Sequence, residues 1–395
     1  MHRSWVEISR DALRANVSTL RRFIGPELIF LAVVKANAYG HGIREVATIL
    51  KKDVAFRGRG LAPLDASHAS YPTGWFGVDS ISEAVTLRDI GIRAPIVILG
   101  YVPIADARLA VRIGARVTVA APENVRALSA AARSLRRTAV VHVELETGTQ
   151  RQGVTAAELP AFLRLIRQSS NVDVEAVATH LADIEDAGSG GFAAMQIERF
   201  EHLAEIVEHT LGASVLRHVA ASEAALIIPS ARYDIVRFGI ALYGLWPSER
   251  IRASAGRRGS RLALRPALAW KTIVGPMHEV PRGAPVGYGC SECVRRRTRL
   301  AVLPIGYWDG YDRKLSSVGG VLIRGRRCKV IGRVCMNMIM VDVTDVPRVR
   351  LEDEVVLLGG QRREEVSADE LARKIGTINY EVVTRINPML PRRIV

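Results

Sequence analysis

The sequence predicts an α/β protein: an N-terminal (β/α)8 barrel followed by a mostly-β C-terminal domain. Three observations carry this expectation. Eight apolar, strand-like runs between Leu28 and Leu242 alternate with helix-like segments, which implies parallel strands joined by crossovers. Eight such strands in roughly 250 residues suit a closed barrel. The alternation then stops, and from Leu262 the segments become short, β-branched and divided by Gly and Pro. The expected domains are residues 1–250 and 262–395, joined by the Gly/Ser/Arg run from Ile251 to Arg261.

Ser9 to Phe23 opens the chain's helical part, with Leu13, Val17 and Leu20 at helical spacing and Ser9 or Asp11 as a cap. Leu28 to Val34 follows, an uninterrupted apolar run that reads as a strand buried on both faces. Ile43 to Leu50 is a helix. Ala55 to Thr73, rich in Gly, Arg, Pro, Ser and Ala, is longer than a barrel loop needs and reads as a surface insertion. Further strands are expected at Gly74–Val78, Pro95–Leu99, Arg116–Val119, Ala139–Leu145, Val174–His180, Leu216–Ala220 and Asp234–Leu242. Helices fall between them at Ser80–Ile90, Ile104–Ile113, Pro122–Ser134, Ala156–Gln168 and Ala193–Leu211. The second domain shows strands at Leu268–Val274, Arg299–Pro304, Gly320–Ile323, Lys329–Val334, Ile339–Val343 and Glu354–Leu358, with a helix over Ala368–Ile375.

Composition narrows the function. With 48% hydrophobic and 24% charged residues, the chain is globular. No apolar run approaches the roughly 20 residues of a membrane span, and the N-terminus lacks the apolar stretch of a signal peptide. Four cysteines do not form a disulfide framework, so a cytoplasmic location is expected. The net charge of +15 raises nucleic acid as a partner, but the arginines are scattered and none of their clusters joins an aromatic stacking motif. No nucleic-acid or membrane partner is expected. Cys290-x-x-Cys293, with Cys328 and Cys335, is too loosely spaced for a zinc site, and Gly188 to Gly191 lacks a P-loop lysine.

The chemistry centres on Lys35, at the carboxyl end of the first barrel strand, where such barrels place their active groups. An amine there can form a Schiff base with a carbonyl cofactor, although a lone strand-end lysine is more often a snorkelling side chain. Val33-Val34-Lys35-Ala36-Asn37-Ala38-Tyr39-Gly40-His41-Gly42 resembles the cofactor segment of the alanine racemase family, whose members use pyridoxal 5'-phosphate (PLP). The resemblance implies that Lys35 carries PLP and Tyr39 holds its phosphate.

Other blocks resemble the same family in the same order. Glu146-Thr147-Gly148-Thr149-Gln150-Arg151-Gln152-Gly153 is similar to the segment whose arginine assists substrate, with Thr149 in place of a methionine. Seven residues before Arg151, Glu144 stands where many members carry a carbamylated lysine. A Glu144–Arg151 pair is therefore expected to fix the guanidinium. His180 resembles the histidine packed on the PLP ring, and Ser222 the phosphate-binding serine, although Ala221 replaces a usual asparagine. Arg237-Phe238-Gly239-Ile240 implies an arginine at the pyridine nitrogen and two backbone N–H groups, of Gly239 and Ile240, at the phosphate. A guanidinium does not readily give up a proton. The ring nitrogen then stays unprotonated and PLP is a weaker electron sink, which suits racemisation over transamination.

Racemisation needs an acid/base group on each face of the reacting carbon. Lys35 supplies one. Val286-Gly287-Tyr288-Gly289 resembles the family block whose tyrosine reaches the other subunit's site, so the resemblance implies a homodimer with shared active sites. A phenol needs a nearby cation such as Arg151 to act as a base near neutral pH. By this analogy Lys35 handles the proton of the D-enantiomer and Tyr288 that of the L-enantiomer. The blocks holding Tyr307 and Met336 also resemble the family; the Met336 backbone would meet the substrate carboxylate, with Asn337 where Asp is usual. Tyr380 resembles a second tyrosine at the phosphate and the access gate. The expected activity is interconversion of L- and D-alanine. A racemase for serine or a broader set of amino acids, and a non-catalytic PLP-binding protein, are the alternatives.

Overall fold

The computed structural model of the protein describes residues 3–57, 59–60, 71–184, 191–257 and 262–395. The centre of the expected insertion, the end of the expected linker and most of the Gly188–Gly191 loop lie outside these residues. The chain forms two compact units. One holds residues 13–36 and 47–265, the other residues 1–12, 37–46 and 266–395.

In the first unit the predicted alternation becomes a ring of parallel strands. Ile29–Val33, Gly74–Val78, Ile96–Ile98, Arg116–Val119, Ala139–Glu144, Val172–Ala178 and Leu216–His218 pair each with the next, and Ile235–Phe238 pairs back onto Ile29–Val33. The remaining gap closes through Asp234 N–H to Arg217 O at 3.2 Å and Arg237 N–H to Ala220 O at 3.0 Å. The result is a (β/α)8 barrel. Every residue of Ile29–Val33 and Gly74–Val78 is buried, as continuous apolar strands covered on both faces require. Ile29, Leu31, Trp75, Val97, Ala176, Leu216 and Ile235 pack into one cluster. Local signals fix the helices between strands. Ser80 caps Ile81–Asp89 in a reciprocal capping box with Glu83, and Pro122 starts Pro122–Leu135 where a missing N–H costs nothing.

The second unit is built on a largely antiparallel sheet. Its order is Met277–Val280, Thr298–Leu303, Ile339–Asp342, Arg326–Ile331, Gly320–Ile323, Glu354–Gln361, Leu268–Ile273, Ser4–Ile8 and Arg392–Ile394, with Glu364–Val366 paired to Glu354–Gln361. Only the last pairing in that path is parallel. The chain's first strand therefore belongs to this sheet through Leu268–Ile273, with Ile8 opposite Leu268 and Ser4 opposite Thr272.

Besides that first strand, which the expected 1–250 barrel domain did not separate, the structure departs from the sequence expectations in four places. The strand expected over Asp234–Leu242 ends at Phe238; Gly239 breaks it and Ile240–Tyr243 turns into a 3-10 helix. The expected linker is largely the helix Glu249–Arg257, whose buried Ile251 and Ala255 are four residues apart. The expected insertion opens within the short helix Val54–Arg57, and inside its bounds Arg59–Gly60 pairs with Tyr71–Pro72. Lys35–Tyr39 is a helical turn of unusual hand, with φ between +52° and +54° at Ala36, Asn37, Ala38 and Tyr39. Among the described residues no helix is long and apolar enough to cross a membrane.

Candidate functional site

Parallel strands deliver their carboxyl ends to one rim of a barrel, and the barrel unit carries Lys35, Glu144, Arg151, His180, Ser222, Arg237, Gly239 and Ile240 at or just beyond such ends. Lys35 follows Ile29–Val33 by two residues. Its Nζ lies 3.1 Å from Asp79 Oδ1, at the end of the neighbouring strand Gly74–Val78. Glu83, one turn into the next helix, accepts from Ala36 N–H at 2.7 Å and from Asp79 N–H at 2.8 Å. Asp79 and Glu83 thus hold both the amine and the backbone of the lysine segment.

Arg237 is buried, and its guanidinium is tied from several sides. Nη1 donates to His218 O at 2.8 Å and meets His218 Nδ1 at 2.9 Å. Nη2 donates to Thr179 O and Val219 O, both at 2.8 Å, and lies 3.3 Å from His180 Nδ1. Nε–H takes no part in these bonds. Burial lowers the arginine to about 10, against the pull of the Glu144 charge, so it remains a cation at neutral pH.

Around it the titrating groups respond in opposite senses. His180 is pushed down to about 3, first by burial and then by the charges of Arg237, Arg151 and Lys35, and its ring is neutral at pH 7. Glu144 is buried, and burial raises its carboxyl, opposed by Arg237, Arg151 and a hydrogen bond from Gln152. Among the described residues no ion pair joins Glu144 directly to Arg151. Arg151 is exposed on its loop, and the Gln152 side chain donates to Leu99 O at 3.3 Å. The expected contact is therefore replaced by a through-space one. Ser222, buried at the start of Ser222–Ile227, accepts the Gly239 N–H at 3.0 Å. This places the serine beside the opening N–H groups of the Ile240–Tyr243 turn, which have no partners within the helix itself.

The second unit carries Tyr39, Tyr288, Tyr307, Met336, Asn337 and Tyr380. Tyr39 and Tyr380 stand with ring centroids 6.1 Å apart. Behind them Gly40 makes a close backbone approach, since a Cβ there would sit 1.9 Å from Val383 O. Arg392 donates to Gly40 O at 3.2 and 3.1 Å. His41 is buried, lowered to about 4 chiefly by burial, and its Nδ1 lies 3.0 Å from Tyr39 O. Tyr288 is 72% exposed between Gly287 at φ +74° and Gly289 at φ +72°. Tyr307 N–H donates to Cys335 O and Trp308 N–H to Met336 O, each at 3.0 Å, so these two loops form one surface. Tyr307, Met336 and Asn337 are exposed on it.

Sequence reasoning missed Asp79, Glu83, His218 and Arg392. His218 had a signal: it ends a barrel strand, as His180 nearly does. Asp79 had the same one.

A barrel with its polar groups gathered at the strand ends, carried in one chain with a β-rich second unit, is the plan of a two-domain barrel enzyme. Comparison with known proteins narrows the class. A family described as "Alanine racemase, N-terminal domain" matches residues 8–65 and 56–247, and "Alanine racemase, C-terminal domain" matches residues 267–394. The chain belongs to the alanine racemase family. It is 41% identical over 394 residues to an alanine racemase of Symbiobacterium thermophilum, covering 99% of this chain and 97% of that one. Among solved structures, the alanine racemase of Streptomyces coelicolor A3(2) superposes with a TM-score of 0.88 at 32% identity, covering 100% of this chain and 98% of that one. The enzyme from Bacillus anthracis with bound L-Ala-P gives 0.87 at 31% identity, covering 100% and 95%.

Proposed function

We propose that this protein is a PLP-dependent racemase that interconverts L- and D-alanine. The observation that carries the reading is the buried, permanently charged Arg237, whose Nη groups are committed and whose Nε–H is not. The donor set fits the cofactor. Lys35 offers an amine for its aldehyde. Arg237 offers a donor for its ring nitrogen, and Ser222 with the Ile240 N–H offers an anion site for its phosphate, which the Gly239 N–H joins on leaving Ser222 Oγ, its partner here. His180 supplies a neutral ring beside Arg237. Tyr39 and Tyr380 supply two phenols for the phosphate.

When bound, PLP draws electrons from the amino acid's Cα and makes its proton removable. The protein's part is to fix groups and move protons. Arg237 remains a cation and does not pass a proton to the ring nitrogen, which limits the electron sink and favours return of the proton to Cα. Lys35 Nζ exchanges a proton on one face. On the other face the acid/base group is Tyr288 of the partner subunit. The exposure of Tyr288, and of Trp308 and Met336 on two loops hydrogen-bonded to each other, supports a homodimer with shared sites. Arg151 would meet the substrate and the tyrosine, and the Met336 backbone the substrate carboxylate. Tyr307 and Asn337 share that surface in supporting roles. A cytoplasmic location completes the reading.

The test is incubation of the PLP-loaded protein in deuterated water with a panel of L-amino acids, following deuterium at Cα and the D/L ratio. Alanine alone should exchange and racemise. Exchange of several amino acids would favour the broader racemase, and exchange of none would overturn the enzyme reading.

A further inference from the structure

Five side chains of the barrel unit form one unbroken hydrogen-bonded line that ends at Arg237. Arg116 Nε and Nη2 grip the two oxygens of Glu175 at 3.0 and 3.1 Å. Glu175 Oε2 lies 3.0 Å from His142 Nε2. His142 Nδ1 lies 3.1 Å from His218 Nε2, and His218 Nδ1 lies 2.9 Å from Arg237 Nη1. Both histidines are fully enclosed, at 0% and 1% exposure, so water cannot substitute for a missing partner. The Trp75 ring packs 6.2 Å from that of His142, and the Arg116 guanidinium stands 5.3 Å over Trp75.

Donor and acceptor accounting allows a single arrangement of protons. A guanidinium only donates, and an ionised carboxylate only accepts. His218 Nδ1 must accept from Arg237, so the His218 proton sits on Nε2 and is donated to His142 Nδ1. His142 then carries its own proton on Nε2 and donates it to Glu175. A second proton on His218 would face the Arg237 N–H, and a second proton on His142 would face the His218 Nε2–H. Both rings must stay neutral, with the same tautomer. The environment agrees: burial, with the Arg237 charge next, drives His218 well below its ordinary value. Glu175 is held down to about 2 by His142 and Arg116 against its burial, and is ionised.

We propose that Glu175 is a remote positioning residue for Arg237. Through the neutral His142–His218 pair it fixes the rotation of the guanidinium and leaves the Nε–H as its uncommitted donor. The role assigned to Arg237 rests on the PLP reading above; the line itself does not. Each bond polarises the next in a low-dielectric interior, so loss of the carboxylate is felt at the far end.

Two measurements test it. Nitrogen-15 NMR of the histidine-labelled, cofactor-free protein at pH 7 should show His142 and His218 both as Nε2–H tautomers, with assignment by His142→Gln and His218→Gln. An Nδ1–H tautomer or an imidazolium at either position overturns the relay. In the PLP-loaded protein, Glu175→Met should change the pH titration of the cofactor's visible absorbance. It should also raise the fraction of turnovers that end with the cofactor in its amine form by about fivefold, the effect of one net hydrogen bond. Glu175→Gln, which can still accept from His142, should restore most of both. A folded Met variant with wild-type absorbance and partition overturns the proposal. If the Met variant does not fold, the tautomers in wild type and Glu175→Gln decide it, since a flipped His218 in the Gln variant with unaltered cofactor absorbance would also overturn it. Failure of the PLP reading would appear instead in the deuterium experiment, with the tautomers unaffected.

Discussion

At the scale of single residues, the lysine at the barrel rim is not free. Its Nζ sits 3.1 Å from Asp79, with the two side chains 40% and 56% exposed. A pair so wetted contributes ~0.2–1 kcal/mol at most, so Asp79 matters less for stability than for where the amine is held. Asp79→Asn should leave the thermal midpoint unchanged and speed loading of the cofactor-free protein with PLP by up to about fivefold, the limit set by such a pair. The growth of visible absorbance after mixing measures this, and an unchanged loading rate would count against the role. Glu175 belongs to the opposite case, a largely buried carboxylate at 13% side-chain exposure. Its carboxyl is depressed from 4.5 unfolded to about 2 folded. A depressed acid adds stability that is fully present above 4.5 and is lost as pH falls towards 2. Between pH 5 and pH 3 the wild type should therefore lose about 2 kcal/mol more than Glu175→Gln. Urea unfolding at the two pH values checks it, and parallel losses in both proteins would refute it.

At the scale of elements, the Lys35–Tyr39 turn is the costly one. A left-handed conformation costs roughly 1–2 kcal/mol for each L-residue with a Cβ, and four such residues stand in a row. Fixed partners hold them. Within the second unit, Asn37 Oδ1 accepts from Ile43 N–H at 2.9 Å, and Gly42 N–H returns to Asn37 O at 2.8 Å. Gly40, at φ +81°, leaves no room for a methyl group against Val383 O. Gly40→Ala should cost more than about 1 kcal/mol and displace Tyr39 from Tyr380, weakening PLP retention; an unchanged urea midpoint and PLP affinity would refute this. The sequence of this turn announces none of its geometry, because only Asn37 among its four positive-φ residues favours that region. By contrast the barrel strands were legible, since a strand buried on both faces must be apolar throughout, and Gly74–Val78 and Arg116–Val119 fall where expected. The helix Glu249–Arg257 was hidden because two residues, Ile251 and Ala255, carry its buried face. Ser4–Ile8 was hidden because its partner is the far side of the barrel sequence, and the Glu175–His142–His218 line because its members are 33 and 76 residues apart. The site was legible where motif residues are local and silent where distant strands create a contact.

At the scale of the whole molecule, the proposed mechanism divides its two proton-handling groups between subunits, and this has a numerical consequence. Tyr288 is 72% exposed, with Trp308 at 59% and Met336 at 54% on the same unit. Exposed aromatic and apolar groups in such numbers mark an association surface, and a two-fold dimer would use the same surface on each copy. Lys35→Ala and Tyr288→Phe should each be nearly inactive alone. Co-expressed in equal amounts, they should assemble so that about half of the dimers are mixed. A mixed dimer has one site with both groups intact, Lys35 from one copy and Tyr288 from the other, and one site with neither. Half the dimers with one of two sites intact gives about one quarter of wild-type racemase activity. Were both groups drawn from a single chain, no site in any mixture would be complete and activity would stay at the level of the parents. A control carrying both substitutions in one chain, co-expressed with wild type, separates simple dilution from complementation: its mixed dimers keep one intact site if both groups come from the same chain, whereas with sites shared across the dimer each of their two sites lacks one group. Recovery in the first mixture, together with a fall below simple dilution in the second, would establish a site completed across the dimer; no recovery in the first with simple dilution in the second would place both groups on one chain, and full activity of Tyr288→Phe alone would place Tyr288 outside the chemistry.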